Sequence, residues 1–211
     1  MGIKKFDFSF FFNHSINASL ENNSNNLILN KDLLAIPVQN HTANVLFVKK
    51  PGLYQNIDGL ITSKKYNLIL SIKVADCVPI YVYDPITDNF GIFHSGWKGT
   101  KNKIIVKGIS ILVNKFKCLP RNILVVIGPY IKSCCYVVDS DVAKYFNHDS
   151  INKYKEKWKL DLGLQIKLDL VTEGLLDKNI YISDICTYDT LACESYRRDG
   201  DKSGRMIGLM G

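Results

Sequence analysis

The sequence predicts a mixed α/β (α+β) fold, a single domain with a β-sheet core flanked by helices, and three observations predict it. From Val45 to His94, short runs rich in β-branched and aromatic residues alternate with turn residues such as Pro51-Gly52, Asp84-Pro85 and Asp88-Asn89, the pattern of successive strands. After Gly99 the apolar period lengthens to three or four residues, which is the spacing of a helix face. The chain has 211 residues, 46% of them hydrophobic. That is enough for one buried core and fits one domain over residues 1–211 better than two.

Taken in order, residues 1–30 read as a polar, loop-rich N-terminal segment, because "SINASLENNSNNLILN" is crowded with Asn and Ser. The runs "VLFVKK", "DGLIT", "NLILSIKV", "VPIYVYD" and "NFGIFH" follow as strands. Both their faces are apolar, so the sheet they build is expected to be covered on both sides. Ile105, Ile109, Leu112 and Phe116 then mark one helix face, with Thr100 as its candidate N-cap. "NILVVIG" reads as a buried strand ending at Gly128-Pro129, and "DSDVAKYF" as a short helix opened by Asp139 or Ser140. From Leu160 to Leu176 the leucines fit an alternating strand and also a helical stripe of Leu160, Leu164, Leu168, Val171 and Leu175; the length of the run selects helix. "NIYISD" is expected to close the core as the last strand, leaving "SYRRDGDKSGRM" as a basic tail segment.

The formal charge of +7 is spread along an Asn-, Lys- and Ile-rich chain. No basic run carries interleaved aromatics, so no nucleic-acid partner is expected. No apolar run reaches the roughly 20 residues that span a bilayer, so no membrane partner is expected either. The start "MGIKKFDFSFFFNH" has an apolar stretch too short, and too broken by Asp7, for a secretory signal. The six cysteines (Cys77, Cys118, Cys134, Cys135, Cys186, Cys193) are therefore expected to be reduced thiols of a cytoplasmic protein, monomeric or homodimeric.

Of four histidines, His14 and His148 sit in polar segments and read as surface residues. Cys77 opens one apolar run and His94 ends the next, with a chain reversal between them at Asp84 to Asp88. In an antiparallel pair the first residue of one strand lies near the last of the other, so Cys77 and His94 meet at one end of the sheet. Two chemistries use such a pair: a thiolate activated by an imidazole, or a Zn²⁺ site completed by a third protein ligand and an open position. His41, in "QNHTANV", is the remaining histidine placed just before a strand and is the natural third ligand. From periodicity alone the simpler account leads, a buried thiol and a strand-end histidine with ordinary hydrogen bonds, since the spacings are long and irregular.

At these residues a resemblance enters. "QNHTANV", "DGLIT", "VADCVPIYVYD", "GIFHSGWKGT", "IGPYIKSCCYVV", "DICT" and "SYRRDGDKSGRM" stand in the order of the YfiH-like family, covering residues 41–206. That family is also described as polyphenol oxidase or laccase-domain proteins, peptidoglycan editing factor and purine nucleoside phosphorylase. The resemblance implies a single α/β domain distantly similar to cysteine-hydrolase-like toxin deamidases, and a metal site at His41, Cys77 and His94 holding zinc, with copper claimed for the oxidase activity. It implies phosphorolysis of adenosine, inosine, guanosine and methylthioadenosine, with adenosine deamination beside it; the partners are then a purine nucleoside and phosphate. A metal with an open position lowers the pKa of a bound water toward neutrality, which suits deamination. Phosphorolysis needs cations for the phosphate, and Lys98, Arg197, Arg198 and Arg205 are the candidates. Trp97 is a candidate stacking surface for the purine. Lys98 stands where the family usually has Arg, which keeps the charge and loses the bidentate geometry. Two alternatives accompany this reading: a cysteine hydrolase of peptidoglycan precursors with Cys77 as nucleophile and His94 as base, and a copper-dependent phenol oxidase, which four histidines disfavour.

Overall fold

A computed structural model of the chain describes residues 8–11 and 31–211. The expectations for residues 1–7 and 12–30, His14 among them, lie outside the described residues. In chain order the strands are β1 (Phe8–Phe11), β2 (Leu34–Val38), β3 (Val45–Phe47), β4 (Gly52–Gln55), β5 (Gly59–Ser63), β6 (Ile69–Val74), β7 (Val78–Asp84) and β8 (Asn89–Ser95). Helices α1 (Trp97–Lys101) and α2 (Ile104–Phe116) follow, then β9 (Leu124–Ile127), β10 (Val137–Val138) and α3 (Ser140–Ala143). The chain continues through β11 (Ile151–Tyr154), β12 (Lys157–Leu160), α4 (Leu162–Thr172), β13 (Ile180–Ile182), α5 (Tyr196–Asp199) and β14 (Met206–Met210).

Among the described residues these strands form a six-stranded sheet in the order β13-β9-β7-β8-β5-β3, a five-stranded sheet β1-β14-β6-β2-β4, and a small three-stranded sheet β10-β12-β11. Side-chain alternation explains the layering. On one face of the larger sheet, Val78, Ile80 and Val82 join Ile61 and Phe93 and pack against Ile105, Ile109 and Leu112 of α2 and Ile166 and Leu170 of α4. The intervening residues Tyr81, Tyr83, Phe90, Ile92 and Leu60 face the other way and meet Leu70, Ile72, Val74, Met206 and Met210 of the second sheet. Helices, six-stranded sheet and five-stranded sheet thus stack as three layers around two apolar cores, an α+β architecture with mixed strand directions. Coverage on both faces holds for β5, β7 and β8, which are buried throughout. It does not hold for "VLFVKK", whose strand β3 lies at the sheet edge with Leu46 exposed.

Three local expectations need correction. Thr100 caps nothing: it lies inside α1, and its hydroxyl bonds back to the Gly96 carbonyl at 3.0 Å. The N-cap of α2 is instead Lys103, held in the left-handed region at φ 59°. The stretch 160–176 is helical as expected from Leu162 to Thr172, but Leu160 ends β12, and the buried face is Leu162, Ile166 and Leu170. Asp161 sets that phase by accepting from Leu164 N at 2.9 Å, and Asp169 fixes it through Lys103 Nζ at 2.6 Å. "NIYISD" forms β13 at one edge of the large sheet, not the last strand of the core. That place belongs to β14, "MIGLM", antiparallel to β6 in the interior of the five-stranded sheet. Its Gly208 has a packing reason: a β-carbon there would lie 2.5 Å from the Tyr81 hydroxyl. Among the described residues no helix is long and apolar enough to cross a membrane.

Helix α2 rests on β8 through Gly108, where an added β-carbon would come within 2.4 Å of the Phe93 ring. Alanine raises helix propensity by about 1 kcal/mol over glycine, yet overpacking of a filled core costs about 1–3 kcal/mol. Gly108→Ala is therefore expected to lower the unfolding midpoint in a denaturant titration, and a raised midpoint would contradict this packing.

Candidate metal centre

The strand register that builds the core also builds the site. Strands β7 and β8 pair antiparallel with Val78 opposite Ser95 and Pro79 opposite His94. Cys77, one residue before β7, is thereby carried to the end of β8. His41 comes from the turn after β2, where its backbone is left-handed at φ 55°. The ligand atoms of His41, Cys77 and His94 all lie within 4.8 Å of one another, and the two imidazoles meet edge to face with centroids 4.8 Å apart.

One buried carboxylate organises them. Asp58 is fully buried, and a carboxylate out of water must have its oxygens satisfied. It accepts from the backbone amides of Asn40, His41 and Thr42 at 3.3, 3.1 and 2.7 Å, from the Thr42 hydroxyl at 2.7 Å, and from His94 Nδ1 at 2.8 Å. The same residue therefore folds the His41 turn and sets the orientation of His94. Burial alone would raise the Asp58 pKa, but the bonds from His94 and Thr42 outweigh it and hold the group at about 2. For His94, burial pulls the pKa down while the bonds to Asp58 and Cys77 lift it to about 9. Burial pushes the Cys77 thiol up, and the two imidazoles bring it down to about 7.

Two further constraints shape the centre. A β-carbon at Gly96 would stand 2.9 Å from Cys77 Sγ and 3.3 Å from His41 Cδ2, so only glycine leaves the sulfur its place. Gln39 locks the end of β2 to β6, donating to the Lys73 carbonyl and accepting from the Lys73 amide, both at 2.8 Å. One thiol and two imidazoles are good zinc donors, and three protein ligands leave a fourth position open. The carboxylate behind His94 is the outer contact that orients a ligating imidazole. The set fits a metal ion.

The three ligands border a cleft of about 870 Å³, a size suited to a small ligand. Trp97 and Arg197 line it, joined by Lys73, Tyr136 and Arg205. A side compartment of about 270 Å³ opens past Cys77 toward Lys98 and Leu162. Of the substrate-binding candidates, Trp97, Lys98, Arg197 and Arg205 thus border the site. Arg197 spends one of its five donors on the Val137 carbonyl at 2.9 Å and lies 5.1 Å over the Tyr136 ring. Arg198 is corrected: its guanidinium turns away to clasp the carbonyls of Thr187, Tyr188 and Cys193 and the Asp199 carboxylate. It braces a loop and is not among the residues that line the cleft.

Asp58, Asp76 and Gly96 were not singled out by sequence reasoning. Asp76 has a left-handed backbone at φ 74° and accepts from the Thr187 hydroxyl at 2.7 Å and the Arg197 amide at 2.6 Å. It therefore ties the Cys77 turn to the loop that carries Arg197. The only sequence signal was position: Asp58 opens "DGLIT", Asp76 precedes Cys77, and Gly96 lies two residues after His94.

A family described as multi-copper polyphenol oxidoreductase laccase matches residues 13–211. A Bacillus subtilis protein named purine nucleoside phosphorylase YlmD is 35% identical over 162 residues, covering 73% of this chain and 58% of the relative. A Borreliella burgdorferi protein named purine nucleoside phosphorylase is 32% identical over 193 residues, covering 85% of this chain and 80% of the relative. The crystal structure of the Bacillus licheniformis hypothetical protein YfiH superposes with a TM-score of 0.83 at 30% identity, over 86% of this chain and 75% of that one. The chain spans 58%, 66% and 60% of the length of three of the curated relatives it matches.

Two outcomes follow for metal binding. Replacing Asp58 by Asn removes the charge behind His94, and the loss of such an outer contact costs about 10–100-fold in metal affinity. Competition with a chromophoric chelator measures it, and unchanged affinity would remove Asp58 from the centre. The second concerns pH. His94 keeps its proton up to about 9 and Cys77 up to about 7, while a metal takes the neutral imidazole and the thiolate. Affinity should therefore rise with pH between 6 and 9, by up to about tenfold per unit for each proton displaced. A flat profile would contradict the proton inventory of the site.

Proposed function

The chain belongs to the family described as multi-copper polyphenol oxidoreductase laccase, the YfiH-like family of the resemblance, and from that premise we propose that it is a zinc-dependent purine nucleoside phosphorylase with adenosine deaminase activity. The single observation that carries the reading is the convergence of His41, Cys77 and His94 at the floor of a cleft with cationic and aromatic walls. His41, Cys77 and His94 would hold the metal, whose Lewis acidity supports attack on a purine carbon or stabilises developing charge.

The chain's own groups account for the rest. Phosphorolysis breaks the bond between ribose C1′ and purine N9, forms a bond from a phosphate oxygen to C1′, and leaves the purine with a proton. Lys98, Arg197 and Arg205 supply charge-assisted donors for the phosphate. Trp97 and Tyr136 offer flat faces for the base. Asp58 keeps His94 Nδ1 occupied, so Nε2 is the atom that faces Cys77 and the cleft. Deamination consumes water and adenosine and releases inosine and ammonia. The natural ligands in this reading are small molecules, a purine nucleoside and phosphate, acting on a monomer or homodimer in the cytoplasm. Copper is a second ion that two imidazoles and a thiolate accept. A multi-copper centre needs more imidazoles than these: among the described residues only His41 and His94 converge, and His148 is exposed elsewhere.

One observation favours a second reading. Cys77, His94 and Asp58 also form a chain of nucleophile, base and orienting carboxylate, the arrangement of a cysteine hydrolase. It would serve a peptidoglycan precursor with Cys77 as the attacking atom.

Incubating the metal-loaded protein with adenosine and phosphate should yield adenine and ribose 1-phosphate, with inosine from the second activity; finding none of these products would sink the proposal. Arg197→Ala should raise the KM for phosphate about tenfold or more, the equivalent of one lost charged hydrogen bond. Iodoacetamide decides between the two readings. Protection of Cys77 in zinc-replete protein supports the metal, and alkylation there supports the hydrolase.

A further inference from the structure

A second group of donors lies outside the cleft. The sulfurs of Cys134, Cys135 and Cys186 and a carboxylate oxygen of Asp189 all lie within 4.8 Å of one another. Cys135 Sγ is 3.3 Å from Cys134 Sγ and 3.2 Å from Asp189 Oδ1, and Cys134 Sγ is 3.5 Å from Asp189 Oδ2. Three sulfurs and one oxygen at zinc bond lengths around one tetrahedral ion stand about 3.5–3.8 Å apart, by the geometry of the bond lengths alone. Cys134 Sγ and Asp189 Oδ2 already stand at that spacing, and the two contacts of Cys135 Sγ are a few tenths of an ångström shorter.

The backbone brings them together from two loops. After β9 the chain turns at Lys132, whose carbonyl accepts from the amides of Cys135 and Tyr136 at 3.0 and 2.9 Å. Cys186 forms a parallel bridge with Tyr130, and a turn closed by Thr190 N to the Cys186 carbonyl at 3.0 Å sets Asp189 on the side of its sulfur. All three cysteines are free of any disulfide among the described residues.

We propose that Cys134, Cys135, Cys186 and Asp189 form a second, structural metal site that binds Zn²⁺. It shares no ligand with the cleft, and the contrast in donor number assigns the roles: four protein ligands close a structural site, and three leave an open one. The ion joins two loops that serve the cleft. Tyr136, beside Cys135, lines the cleft, and Thr187, beside Cys186, holds Asp76. The inference stands whether or not the purine reading does.

The test uses the full chain, stripped of metal under reducing conditions and titrated with Zn²⁺ alone, with Co²⁺ substitution as a spectroscopic readout. Cys134 and Asp189 are exposed, so Cys134→Ser with Asp189→Ala leaves the core intact. That variant should bind one equivalent fewer than the parent chain, lose part of the thiolate-to-cobalt band, and gain less thermal stability from zinc. His41→Ala should keep this equivalent and lose the other. Zinc stoichiometry unchanged by the double substitution, and also by Cys186→Ser, overturns the site, as does a disulfide joining Cys186 to Cys134 or Cys135 in the native protein. A single equivalent abolished by His41→Ala alone overturns this inference and leaves the cleft centre standing. A single equivalent abolished by the double substitution alone supports this site and removes the other.

Discussion

Everything in the cleft depends on keeping the Asp58 carboxylate ionised without water. Five donors converge on its two oxygens, four from residues 40–42 and one from His94. A buried charge is tolerable only when its lone pairs are filled, so the folding of the His41 turn and the orientation of His94 are one event. The left-handed backbone of His41 is the local strain this accepts, offset by the amide bonds that Asp58 collects. A small change at Asp58 therefore reaches two of the three candidate ligands together.

The sheet supplies the rigidity that such a centre needs. Strands β7 and β8 are buried on both faces and bonded along their whole length, so the separation of Cys77 from His94 is set by the ladder and not by a loop. The rim comes from elsewhere in the chain: the short helix α1 carries Trp97 and Lys98, and the segment after Ser195 carries Arg197.

Much of this was legible in the sequence where the signal is local. The reversal between Asp84 and Asp88 sufficed to bring Cys77 to His94, because hairpin pairing follows from a short turn between two apolar runs. What was hidden depends on residues distant in the chain. Asp58 reads as a turn residue before a glycine, and only the fold reveals the partners gathered on it. Arg197 and Arg198 are indistinguishable as neighbours in sequence, yet one faces the cleft and the other clasps three carbonyls. The helix 162–172 was legible in type but not in phase, since Asp161 and Asp169 rotate it away from its most continuous leucine stripe. Strand β14 was obscured by the basic residues before it and by Gly208, whose reason is a tyrosine more than a hundred residues earlier. The four donors around Cys186 were likewise invisible as a group, because some fifty residues separate the two loops.

The central claim is that the Asp58-supported trio of His41, Cys77 and His94 is a metal centre, and elemental analysis of the purified protein beside its His94→Ala variant tests it most directly. The account predicts that the variant, folded to the same far-ultraviolet spectrum, loses one metal equivalent per chain. Metal content unchanged in His94→Ala would contradict it.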